Sequence, residues 1–132
     1  MKLYLASYLE PMFHGPGIKY GIATTKPNNL DISGGMFKFL TPTDELISIY
    51  REKQLEDQIE AANYFNSEFK VYLNKFENEV KQAAISENKQ PHELLPFKDG
   101  DTLLSWEKAE NTSYRPLVAK CLRNLGYDVE LK

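Results

Sequence analysis

Between Asp44 and Glu87 the chain contains neither Pro nor Gly, and no other feature restricts the fold as much. Thr41-Pro42-Thr43-Asp44 opens this run as a helix start. Thr41 is read as the cap, Pro42 as the first helical position and Asp44 as an acid in the electropositive first turn. Apolar residues then recur at Leu55, Ile59, Ala62, Phe65, Phe69, Tyr72, Phe76, Val80 and Ala83, in steps that keep them on one helical face. One straight helix over the run would measure roughly 65 Å. A domain of this length has a radius of gyration of only about 14 Å. The helix therefore either breaks, near Lys53–Gln54 or Asn63–Asn66, or projects and packs on another subunit. Its aromatic stripe is longer than a small sheet covers, so a homo-oligomer through Gln54–Ala84 is expected.

Strands are expected only toward the two ends. Lys2–Tyr8 is apolar and aromatic and reads as a first strand, stopped by Glu10 and Pro11. Phe13-His14-Gly15-Pro16-Gly17 is turn-rich, and Ile18–Thr25 reads as a second strand. Asp31–Leu40 is an irregular loop or a small strand. Pro91–Gly100 is a loop. Thr102–Trp106 reads as a third strand, followed by a polar stretch. Leu117, Val118, Cys121, Leu122 and Leu125 then mark a helix ended by Gly126, with a short final strand. The sum is an α/β fold in a single domain, 1–132: a small sheet from N- and C-terminal strands with a long helical middle segment.

Charge and motif content narrow the function classes. The net charge of −3 argues against nonspecific binding to nucleic acid or acidic membranes. One cysteine rules out an intramolecular disulfide, and Cys121 lies on an apolar helix face, as a small buried hydrophobe does. Leu3–Leu9 is too short for a transmembrane span or signal peptide, so a cytoplasmic location is expected. Two isolated His and one Cys lack ligand spacing, so no metal is expected. No Walker loop, Gly-x-Gly-x-x-Gly turn or nucleophile elbow occurs, and no cofactor is expected.

Candidate ligand contacts gather where the third strand passes through its polar loop into the last helix. Such a corner has free helix N–H groups, and Arg115 brings a full positive charge. Arg115 and Lys108 suit a phosphate or carboxylate; Glu107 suits a hydroxyl or amine. A structural ion pair between Glu107 and Arg115 is the competing reading. Trp106 and Tyr114 bracket the loop and could stack on a base or sugar; packing is favoured for Trp106 and exposure for Tyr114. In a parallel sheet, the loop after the first strand emerges on the same edge. Ser7, Tyr8, Glu10, His14 and Lys19 then face Arg115 across one cleft, with Gly15 and Gly17 permitting close backbone approach to a ligand.

Tyr4–Glu10, Phe39-Leu40-Thr41-Pro42, Leu103-Leu104-Ser105-Trp106-Glu107-Lys108 and Arg115-Pro116-Leu117-Val118-Ala119-Lys120 resemble the domain-of-unknown-function 488 family. The resemblance covers about half the chain and implies a small α/β domain. Family members carry Cys at the end of the third strand and Cys-His-Arg at the last helix. This chain has Ser105 in the first place and Ser113-Tyr114-Arg115 in the second. A thiol is far closer to ionised at neutral pH than a hydroxyl. The resemblance thus implies a ligand-binding corner without the thiol chemistry.

The leading expectation is a non-catalytic protein that binds, and sequesters, a small anionic, nucleotide-like metabolite; phage and mobile elements are one setting for such a protein. The first alternative is an enzyme acting on a nucleoside or glycosidic bond through Glu10 or Glu107. The second is a protein–protein inhibitor or structural oligomer built on the aromatic helix.

Overall fold

Two side-chain oxygens divide the long helical run. Thr43 Oγ1 accepts from the N–H of Leu46 at 3.1 Å and starts α1, Asp44–Gln54. Asp57 Oδ1 accepts from the N–H groups of Ile59 (2.9 Å) and Glu60 (3.2 Å) and starts α2, Gln58–Glu87. Each cap gives partners to helix-end donors that otherwise have none. The break falls just after Lys53–Gln54, and α2 runs unbroken through Asn63–Asn66. The cap is Thr43, not Thr41. Thr41 is buried and donates its hydroxyl to Phe37 O at 2.7 Å, so both it and Pro42 precede the helix. At the far end Asn88 takes a left-handed φ of 53°, and the N–H of Lys89 closes back on Ala84 O at 2.9 Å.

The computed structural model describes residues 1–107 and 114–132. Its sheet is parallel, with β1 (Lys2–Ser7), β2 (Lys19–Gly21), β3 (Thr102–Ser105) and β4 (Asp128–Leu131) in the order β2-β3-β1-β4. β2 is shorter than Ile18–Thr25: the N–H of Ile22 still bonds Leu104 O at 2.9 Å, and the chain then bends away. The last helix, α3 (Arg115–Asn124), ends at Gly126, whose φ of 106° favours glycine.

Alternation along the strands separates two faces. Leu3, Leu5, Ile22, Leu103 and Val129 pack on Phe65, Phe69 and Leu73 of α2 and on Val118 and Leu122 of α3. Ala6, Tyr8, Ala23 and Leu104 face the other way, under Leu30 and Ile32. The β1–β2 connection crosses this second face without an α-helix. Its Gly15 donates to Thr102 Oγ1 at 2.7 Å, and a Cβ on Gly15 would meet Gly100 O and the Tyr4 ring at 2.6 Å. The close approach that Gly15 and Gly17 permit is therefore to the protein's own residues 100–101.

Most of the stripe on α2 is consumed inside the chain. Ala61, Phe65, Phe69, Leu73, Phe76, Val80 and Ala84 are buried, whereas Leu55 and Ile59 are 89% and 75% exposed. The sheet alone does not cover the stripe. α1, α3 and the 3-10 turns at Lys38–Leu40 and Pro91–Leu94 also pack on it. Among the described residues no helix is long and apolar enough to cross a membrane.

Candidate functional site at the carboxyl edge of the sheet

Neighbouring strands β1 and β3 send their following connections to opposite faces, β1 into the loop layer and β3 toward α3. A parallel sheet opens a crevice at such a point, beyond the carboxyl ends of the strands. Ser7 and Ser105, the last residues of the two strands, stand in register there. Both hydroxyls serve the fold. Ser7 Oγ donates to Trp106 O (3.1 Å) and accepts from the N–H of Leu9 (3.0 Å). Ser105 Oγ accepts from Arg115 Nη1 at 2.9 Å.

Arg115 lies beneath this edge, with no exposed surface. The same Nη1 also donates to the main-chain oxygen of Glu107. Among the described residues, Nε and Nη2 have no hydrogen-bond partner. Burial pushes the guanidinium pKa down; Glu107, then the Tyr114 hydroxyl and Glu10, oppose that shift. Arg115 thus ties the start of α3 to the end of β3 and has no surface from which to meet a ligand. Tyr114 is also inside, against expectation. Its hydroxyl donates to Ile22 O at 2.8 Å, and its ring lies against Phe69 and Phe65 with centroids at 5.4 and 6.1 Å. The start of α3 sits over the sheet edge, so its first side chains turn inward.

Trp106 is 38% exposed and both packs and faces outward. Its ring meets Tyr8 edge-on at 5.1 Å, while Nε1 donates to Thr25 Oγ1 (2.9 Å) and Thr25 O (3.2 Å). This clamp ties the segment after β2 to the end of β3. Beside it opens a cleft of about 670 Å³ between the sheet edge and α1. Ala23, Thr24 and Thr25 form one wall, Tyr50, Arg51 and Gln54 of α1 another, and Phe65, Trp106, Glu107 and Tyr114 the base and end. Tyr50 is held edge-on to Phe65 at 5.1 Å and its hydroxyl accepts from Gln54 Nε2 at 2.9 Å. Arg51 is exposed at the mouth.

The expected contacts therefore separate. Trp106, Glu107 and Tyr114 line the cleft. Ser7 and Tyr8 lie behind it; Tyr8 is buried, its hydroxyl 3.9 Å from Met36 Sδ and its pKa pushed by burial up to about 12. Glu10 and His14 belong to the connection after β1 and are outside the cleft lining. His14 donates Nε2–H to Ser7 O at 2.8 Å, since a carbonyl only accepts. Lys19 begins β2, opposite Thr102 at the amino edge of the sheet, away from the cleft. Lys108 and Ser113 lie outside the described residues. The sequence reading missed Tyr50, Arg51 and Gln54, because nothing local in a helix tells which of its exposed faces will overlook a sheet edge. Among the described residues no group of His, Cys, Asp and Glu side chains comes together in a way that would hold a metal ion. No family model matches the chain, and neither the curated proteins nor the solved structures provide a match.

Proposed function

We propose that this is a non-catalytic binding protein for a small anionic, nucleotide-like metabolite, held in the cleft between the carboxyl edge of the sheet and α1. The observation that carries the reading is the make-up of that cleft: the Trp106 and Tyr50 rings, the Arg51 cation and the Thr24 and Thr25 side chains share its lining. A planar base stacks on such rings, a phosphate pairs with a guanidinium, and threonine hydroxyls bond a sugar. Glu107 accepts from a ligand amine or hydroxyl. In this proposal Arg51, rather than buried Arg115, meets the anion. The resemblance to the domain-of-unknown-function 488 family is part of the same proposal, with Ser105 engaged by Arg115 where that family has a thiol. A phage or mobile-element protein that sequesters a nucleotide would use a site of this kind.

The presence of Glu107 on the cleft wall favours one second reading, an enzyme acting on a nucleoside or glycosidic bond with Glu107 as acid–base or nucleophile. Calorimetry with nucleotides and sugar phosphates tests binding. Arg51→Ala, at an exposed position, is expected to weaken it by about tenfold, the value of one charge-assisted hydrogen bond. No binding by any of these ligands overturns the proposal. Mass spectrometry of ligand recovered after hours with the protein separates the two readings: intact ligand supports binding alone, and a hydrolysed or transferred product supports the enzyme.

A further inference from the structure

The cleft does not end at Pro42. A second cavity of about 490 Å³ lies beside it, and Ala23, Thr24 and Pro42 line both. The two spaces adjoin at a waist made of one short segment after β2 and the proline before α1. Each lobe is lined by an aromatic ring and a cation, together with one carboxylate, Glu107 in the first and Asp44 in the second. The first sets Trp106 and Tyr50 near Arg51. The second sets Tyr72 and the Met36 thioether near Lys38. Tyr72 donates its hydroxyl to Lys38 O at 3.2 Å, so the ring and the lysine backbone are tied together. Thr24 stands at the waist and lines both lobes.

A nucleoside monophosphate with its base in one lobe leaves the ring and cation of the other unused. We infer that the site takes a phosphate-bridged dinucleotide, one base on Trp106 and Tyr50, the other on Tyr72 and Met36, with Arg51 and Lys38 supplying the positive charge for the bridge. This rests on the nucleotide reading above and narrows it to a ligand class. Two linked units gain because the second binds as an intramolecular event once the first is seated. Pro42 fixes the backbone direction at the waist.

The test is isothermal titration calorimetry on the full chain. The probes are the monophosphates of adenosine, guanosine and uridine and the matching symmetric dinucleoside pyrophosphates. A monophosphate and its dinucleoside pyrophosphate carry similar charge, so a gain is not a gross charge effect. For at least one base, the dinucleotide is expected to bind at least about tenfold more tightly than its monophosphate, with one ligand per chain. Lys38→Glu, at an exposed position, is expected to shrink that ratio by at least about fivefold. Monophosphate binding with no dinucleotide advantage overturns the two-lobe inference and leaves the nucleotide reading standing. A Lys38→Glu chain that keeps the full ratio overturns the second lobe as the cause. Binding of neither probe class overturns the nucleotide reading itself, and the inference falls with it.

Discussion

Arg115 opens α3 with its whole side chain inside the protein, bridging Ser105 Oγ and Glu107 O through one nitrogen. A buried cation is expensive, and its retention depends on those bonds and on the negative charge of Glu107 and Glu10 nearby. Arg115→Ala removes the bonds, strands two acceptors and leaves two carboxylates without their neighbouring cation. The expected loss is about 3 kcal/mol in urea denaturation. A loss below about 1 kcal/mol, the typical value of an exposed pair, would show the contacts to be incidental. Asp101 has a comparable structural part. It is buried, and its two carboxylate oxygens accept from the N–H groups of Ile18 (2.9 Å) and Lys98 (2.8 Å), pinning the turn before β3 to the start of β2. Asp101→Ala is expected to cost about 2 kcal/mol, because two backbone donors lose their partners; unchanged stability would mean that water replaces the carboxylate.

α1 and α2 are one sequence run but two elements, and the difference lies at residues 55–57. Asp57 receives the first N–H groups of α2, and without it the start of that helix loses its side-chain acceptor. Asp57→Ala is expected to lower stability by about 1 kcal/mol with little change in helix content. Thermal and chemical denaturation followed by circular dichroism read both quantities, and a large fall in helix content would show that the cap holds α1 in place as well. The β1–β2 connection carries its own constraint. With a Cβ on Gly15 set 2.6 Å from Gly100 O and from the Tyr4 ring, Gly15→Ala is expected to cost about 1–3 kcal/mol by overpacking. The turn-rich sequence Phe13–Gly17 pointed to a loop; that its glycines serve loop-on-sheet packing depends on residues 100–101, far away in the chain.

Across the whole molecule, several buried groups resist losing a proton. Burial raises the Cys121 thiol from 9.0 to about 12 and the Tyr8 and Tyr127 hydroxyls from 10.0 to about 12. Tyr127 also donates its hydroxyl to His92 O (3.1 Å) and Phe97 O (3.3 Å), bonds that ionisation would destroy. A raised folded-state pKa means that the unfolded chain releases its proton first as pH rises. Stability is full below the unfolded values and falls with increasing pH through the interval from about 9 to about 12. Thermal scans should therefore show a melting temperature that drops across this interval; a constant one would contradict the burial of these groups. In the native state at neutral pH, Cys121 should resist alkylation and react once urea is added.

Periodicity and the absence of Pro and Gly identified the long helical middle, and the apolar runs at the chain ends identified the strands, because 3.6- and 2-residue repeats are properties of local backbone geometry; that the strands pair in parallel was decided by the tertiary structure. The strand-to-helix corner near Trp106 was legible for the same reason, and Trp106 and Glu107 do line the cleft. What the local pattern did not contain was the direction of each side chain relative to distant elements. Thr41 and Thr43 look equivalent as caps until Thr41 is buried against Phe37. Tyr114 and Arg115 look exposed in a first helical turn until α3 is laid over β3. Arg51 looks like any solvated helix cation until the break at 55–57 folds α1 back beside the sheet edge. Local repeats set which segments become helix or strand; only long-range packing set which of their faces met one another, and the candidate site is made of those faces.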